Sequence, residues 1–337
     1  MRFGTLSAAQ SVAIVRAMNA VVTAGGTVAP VLIEEECVAS AQRHLLGLDP
    51  PMKGLPSTLP DDLAQVLDTS QLRKSTVRLL ATLSIVDKQV SPAKVDVVEA
   101  VAKQLGVREF GVQLMHNVAR GKYRRDTARL MTRFINHYWS YTGRASIRDW
   151  AAILWPMMPW MPGLRGYLRL DETSARYKAL ANLPSDTLGN AVYRYYATRG
   201  FPVPGDHQAI PEGWARHEVY HVLANYNTSL HGELLLAGFI GGNTDEMCLD
   251  LMLPALVQLH AGKTFVPGPT AQDLLKPDDF FRAIARGAAM KVDLLKGWRL
   301  WEYSAMKLAD FRDRVGIPAF TPTEHARLLA DDGLLEA

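Results

Sequence analysis

Apolar residues recur three and four positions apart through most of this chain. Val95, Val98, Val101, Ala102 and Leu105 form one such stripe, and Ile14, Ala17, Met18, Val21 and Val22 form another. That spacing gathers side chains on one face of an α-helix, whereas the every-second-residue alternation of a half-buried strand is missing. The pattern predicts an all-α chain. Its 337 residues exceed the ~100–150 of a typical single core, so two helical domains are expected.

The first domain is expected over residues 1–135 and carries an internal repeat. Val15-Arg16 through Val28-Ala29-Pro30 aligns at constant offset with Val77-Arg78 through Val90-Ser91-Pro92. In each copy a helix leads through a short polar turn to a proline opening a second helix, which runs to Gly47 or Gly106. Proline fits a first helical position because its missing N–H would be unpaired there anyway. Ser91 is a good cap for the second copy and Ala29 a poor one for the first. Residues 49–60, rich in Pro, Gly and Ser, read as a loop. The arrangement, above all Asp87-Lys88-Gln89-Val90-Ser91-Pro92, resembles a tellurite-resistance TerB-like bundle built from duplicated helix pairs. Acidic residues in that turn bind metal in some members of the family. Here Asp87 remains in one copy while Gly25 takes its place in the other. The resemblance implies a helical module that recruits protein partners.

Residues 136–168 read as a linker or flap. Trp150, Trp155 and Trp160 lie close to Met157, Met158 and Met161, and Pro156, Pro159 and Pro162 forbid a continuous helix. Such a stretch suits packing between domains, a flap over an apolar ligand, or a lipid interface. Just upstream, Arg125, Arg129 and Arg133 fall on one helical face at four-residue steps. A solvated face is one reading; attraction to anionic lipid headgroups is the other.

Composition narrows the classes. A formal charge of +3 is too small for a dedicated nucleic-acid binder. Cys37 and Cys248 are the only cysteines, which points to a reducing compartment rather than a disulfide framework. The N-terminus lacks a signal-peptide pattern, and no window reaches the ~20 apolar residues a membrane span needs. A cytoplasmic chain is expected, at most peripheral to the inner face of the membrane.

Chemistry concentrates between Arg216 and Glu233. On a helix His217 and His221 stand one turn apart on the same face, where both imidazoles reach one cation. Glu218 is next to them and is a candidate both for ligation and for proton transfer. On an unbroken helix Glu233 would rise about 18 Å above His221, too far to share an ion. The chain must therefore reverse. Asn225-Tyr226-Asn227-Thr228 supplies the turn, Thr228 or Ser229 caps the next helix, and Glu233 then points back. Two imidazoles and one or two carboxylates suit zinc, iron or manganese better than calcium. His231 reads as a capping or core residue. A zinc metallopeptidase, with Glu218 as general base, shares the short motif. Its extended ligand pattern would need Gly and His where Ala224 and Asn227 stand, and peptidases bind substrate along a sheet edge.

From about residue 170 to 320 the chain resembles the Coq four family of ubiquinone (coenzyme Q) biosynthesis. The family signature is His-Asp-x-x-His, eleven residues, then Glu; here it reads His217-Glu218-x-x-His221, eleven residues, then Glu233. Leu183-Pro184, Thr187-Leu188-Gly189, Gly200-Phe201, Gly232, Trp301-Glu302 and Gly316-Ile317-Pro318 follow the family order. The resemblance implies a second helical domain, placed at residues 169–325, with His217, Glu218, His221 and Glu233 around one divalent metal. Zinc is the first choice, with iron, manganese and magnesium as others. It also implies an apolar cavity for an isoprenoid or quinone-like lipid, a homodimer, and oxidative decarboxylation of a prenylated aromatic ring. A non-catalytic lipid-binding or assembly scaffold with a structural metal is the alternative. Glu218 replaces the family's Asp, moving the carboxylate by one methylene. Leu234, Leu235, Leu236, Phe239 and Ile240 suit either a lipid-tail pocket or ordinary core, and Gly238, Gly241 and Gly242 allow close approach by helices or ligand.

Overall fold

A computed structural model describes residues 1–122, 124–140, 143–154, 168–264, 268–296 and 298–335. The chain is all-α: the described residues form helices joined by turns, with three isolated β-bridges and no strand. The first helices are α1 (Ala8–Val22), α2 (Leu32–Leu45), α3 (Leu63–Val66), α4 (Ser70–Leu83), α5 (Pro92–Gln104) and α6 (Phe110–Ala119). Next come α7 (Arg124–Arg133), a π-helix (Phe134–Trp139), α8 (Ile147–Leu154), α9 (Leu170–Ala179) and α10 (Leu188–Thr198). The rest are α11 (Glu212–Ala224), α12 (Leu230–Asn243), α13 (Cys248–Leu259), α14 (Pro277–Ala288), α15 (Leu300–Tyr303), α16 (Leu308–Val315) and α17 (Pro322–Ala330).

These elements sort into two compact units, each assembled from separated stretches of chain. One holds residues 1–128, 228–289 and 330–333; the other holds 129–227, 290–329 and 334–337. The 228–289 segment thus groups with the N-terminal helices, and residues 169–227 group with 290–329.

In the first unit the repeat is a pair of helical hairpins, α1–α2 and α4–α5. Ile14, Met18 and Val21 of α1 are buried with Leu79, Leu80 and Leu83 of α4 and Val95, Val98 and Val101 of α5. The equivalent turn positions Gly26 and Lys88 both take left-handed backbone, at φ 87° and 67°. Pro92 does open α5, but Pro30 lies ahead of α2, which starts at Leu32. The Glu34 carboxylate accepts the Val31 N–H at 2.9 Å and sets that start, doing from inside the helix what a cap usually does from outside. Ser91 holds the cap position of α5 without a side-chain cap bond. The acidic turn of the second copy already faces an internal cation. The buried Lys94 ammonium donates to Glu34 and, at 2.5 Å, to Asp87 Oδ2.

The second part of this unit is a tight crossing of α12 with α14, with α13 against α12 and α14 against α2. Leu234, Leu235, Leu236, Phe239 and Ile240 are fully buried here as core. A Cβ at Gly242 would collide with the Ile284 carbonyl, and one at Gly287 with the Phe239 carbonyl. The glycines therefore serve helix approach. Gly287→Ala is expected to cost about 1–3 kcal/mol, because neither backbone can yield without moving a helix. A denaturation midpoint equal to the parent's would contradict so close a crossing.

In the second unit α11 packs against the π-helix and α10, and α10 also meets α15 and α16. Thr187 caps α10 through the Asn190 N–H, and Gly189 lets that helix approach Ser304, whose carbonyl accepts the Gly189 N–H at 2.8 Å. Trp301 meets Tyr177 edge-on, with the Arg176 guanidinium 3.7 Å above its ring. The sequence matches around Thr187-Leu188-Gly189 and Trp301 thus have concrete packing roles. Residues 155–167, most of the Trp- and Met-rich stretch, lie outside the described residues. Among the described residues no helix is long and apolar enough to cross a membrane.

Candidate metal centre

The Asn-rich stretch ends one helix and leads to the next. Helix α11 ends at Ala224, Asn225 takes left-handed backbone at φ 64°, and its N–H returns to the His221 carbonyl at 2.8 Å. A left-handed residue just past a helix end is the usual way to stop it, and Asn tolerates the conformation better than most side chains. Arg312 secures the same end, donating to the carbonyls of Leu223 at 3.0 Å and Val222 at 2.7 Å. These last-turn carbonyls have no partner within the helix, so the guanidinium supplies one. Ser229 then caps α12, its hydroxyl accepting the Gly232 N–H at 3.0 Å, and Glu233 falls in the first turn.

His217 and His221 lie one turn apart on α11, and Glu233 lies in the first turn of α12. His221 is buried; His217 and Glu233 are half-buried. The two imidazoles face each other edge-to-face, with Nε2 atoms 3.2 Å apart. Two nitrogens each ~2.0–2.1 Å from a tetrahedral zinc would stand about 3.3 Å from one another. The spacing fits a shared cation.

Hydrogen bonds on the far side of each ring decide which nitrogens can ligate. His221 Nδ1 lies 3.0 Å from the Tyr226 carbonyl, which only accepts, so Nδ1 carries the proton and Nε2 keeps its lone pair. His217 Nδ1 lies 3.1 Å from the Tyr138 hydroxyl, which can donate or accept. With no cation, Tyr138 donates to Nδ1 and His217 Nε2–H donates to His221 Nε2. To hold a cation, His217 would carry its proton on Nδ1 and donate it to Tyr138, which would leave both Nε2 lone pairs for the ion. The phenol accommodates either tautomer. A hydrogen bond to the far nitrogen of a ligating imidazole fixes the ring's orientation at metal sites.

Glu218 is held by a phenol. Its carboxylate accepts the Tyr195 hydroxyl at 2.5 Å, and the Tyr195 ring stacks on His221 with centroids 5.7 Å apart. His231 is buried, with Nδ1 3.2 Å from the Leu274 carbonyl, and burial holds its pKa below the ordinary histidine value. A second acid–histidine group, Asp96, Glu99 and His116, is already served by Arg120, which reaches both His116 and Asp96.

Sequence reasoning missed Tyr138 and Tyr195. Tyr138 sits on the π-helix, whose extra residue per turn shifts side-chain register, a device frequent at functional sites. Helical periodicity gives no hint of it. No protein-family model, curated protein or solved structure matches this chain.

Proposed function

We propose that this chain binds one divalent cation through His217, His221 and Glu233 and acts on a prenylated aromatic lipid, as in ubiquinone or related quinone biosynthesis. The observation that carries the metal assignment is the 3.2 Å approach of the His217 and His221 Nε2 atoms, with the far side of each ring hydrogen-bonded; Glu233 joins them on the spacing of the motif. Support for the lipid comes from the ordered motif His217-Glu218-x-x-His221, eleven residues, Glu233, and the matches flanking it. Zinc suits two imidazoles and one carboxylate; iron and manganese follow, and magnesium, which prefers oxygen, is the poorest fit.

A bound ion would supply Lewis-acid stabilisation of negative charge on a ring oxygen or carboxylate as carbon dioxide leaves. Glu218 and Tyr195 would hold a proton beside the site, the phenol keeping the carboxylate oriented for exchange with substrate. Replacing carboxyl by hydroxyl also needs an oxidant such as dioxygen. An ion held by two imidazoles and one carboxylate would keep a position open, which favours an enzyme over a scaffold with a closed structural metal.

Turnover of prenylated 4-hydroxybenzoate, with and without dioxygen and with zinc, iron or manganese, tests the reading, alongside mass spectrometry of co-purifying lipid. Conversion in one of these conditions is expected. Bound lipid without conversion under any of them would favour the scaffold, and neither lipid nor conversion would end the reading. Tyr138→Phe is expected to weaken metal binding about 10–100-fold, the usual effect of losing the hydrogen bond that orients a ligating imidazole, as read by chelator competition. Unchanged affinity would remove Tyr138 from the site.

A further inference from the structure

Of the large apolar side chains exposed among the described residues, three cluster where the first hairpin enters α2. Val28, Val31 and Leu32 are 48%, 50% and 70% exposed. The repeat makes this notable, because Val90, the counterpart of Val28, is only 8% exposed. Beside these residues lies a groove of about 560 Å³ within the first compact unit, walled by α1, α2 and the loop carrying Pro51 and Met52. Leu32, the pair Glu35 and Glu36, and then Ala39 follow along its α2 wall at three- and four-residue steps. They span two helical turns, about 10 Å, the footprint of anchors at i, i+3 or i+4, and i+7 on a partner helix.

Charge selects the occupant. Glu35 and Glu36 are exposed on the groove wall and make no ion pair among the described residues, while Lys53 is the one cation lining it. We propose that this groove is a docking site for a basic amphipathic helix of a partner protein. Its aliphatic face would cover Val31 and Leu32 while lysine or arginine on its flank pairs with Glu35 and Glu36. An acidic helix would bring like charges together and be rejected.

The test uses the full chain and two labelled 16-residue Leu-based helical peptides, one with lysine on its polar face and one with glutamate. Fluorescence anisotropy is expected to show saturable binding of the lysine peptide, weakened by salt, and none of the glutamate peptide. Glu35→Lys with Glu36→Lys, and separately Leu32→Asp, are each expected to weaken it at least about tenfold. All three positions are exposed, so circular dichroism and the melting temperature should match the parent's. Absent binding, equal binding of both peptides, or binding indifferent to these substitutions would overturn the proposal. So would a concentration-dependent dimer in sedimentation that Leu32→Asp abolishes, which would make a second copy the occupant.

Discussion

Lys94→Met is expected to destabilise the first unit by about 3–5 kcal/mol, the cost of breaking a buried ion pair from one side. The methionine fills much of the same space but leaves the Glu34 and Asp87 carboxylates, 1% and 10% exposed, facing each other without their cation. Adding Glu34→Gln should recover part of the loss by removing one of the stranded charges. Alkaline pH offers an independent check. Burial lowers the Lys94 pKa, but its hydrogen bonds to Asp87 and Glu34 outweigh that and leave it raised. A raised folded-state value stabilises fully below the unfolded pKa of ~10.4 and is lost as pH climbs through the folded one. The parent should therefore lose stability above about pH 10.4, and Lys94→Met should lack that part of the decline. Denaturation midpoints across pH 8–11.5 read both (a range of roughly one unit beyond the unfolded value). A variant as stable as the parent at neutral pH would show the ammonium is not what holds these carboxylates.

His221→Ala should abolish the response of stability to metal. A ligand that binds only the folded chain stabilises it by about 4 kcal/mol at a thousandfold excess over its dissociation constant. The parent's melting temperature should thus fall on chelation and recover with zinc, whereas the variant's should respond to neither. Losing the bond to the Tyr226 carbonyl and leaving a cavity add a metal-independent cost of roughly 1–3 kcal/mol. A variant that still answers to zinc with a parent-sized shift would place the ion elsewhere.

Much of this was legible from local chemistry. The helical stripes, the duplicated hairpins and the helix break at Asn225 each follow from residue spacing or from a side chain that tolerates left-handed backbone. The start of α2 was displaced because Glu34, three residues inside the helix, satisfies the Val31 N–H. Spacing could not bring in Tyr138 or Tyr195, which lie 79 and 23 residues from the groups they bond. Nor could it say which helices share a core with residues 234–240. That run is apolar on almost every side, so no single face points to a partner. Gly242 and Gly287 decide the matter by letting the backbones of α12 and α14 meet. A glycine in a sequence does not announce which carbonyl it will lie against.

The shared cation is tested most directly by elemental analysis of the purified full chain beside His217→Ala and Glu233→Ala. About one ion per parent chain is expected, with little in either variant while circular dichroism reports intact helix. A parent chain that takes up no divalent metal even when supplied with it, or a Glu233→Ala chain that keeps its full complement, would contradict the site.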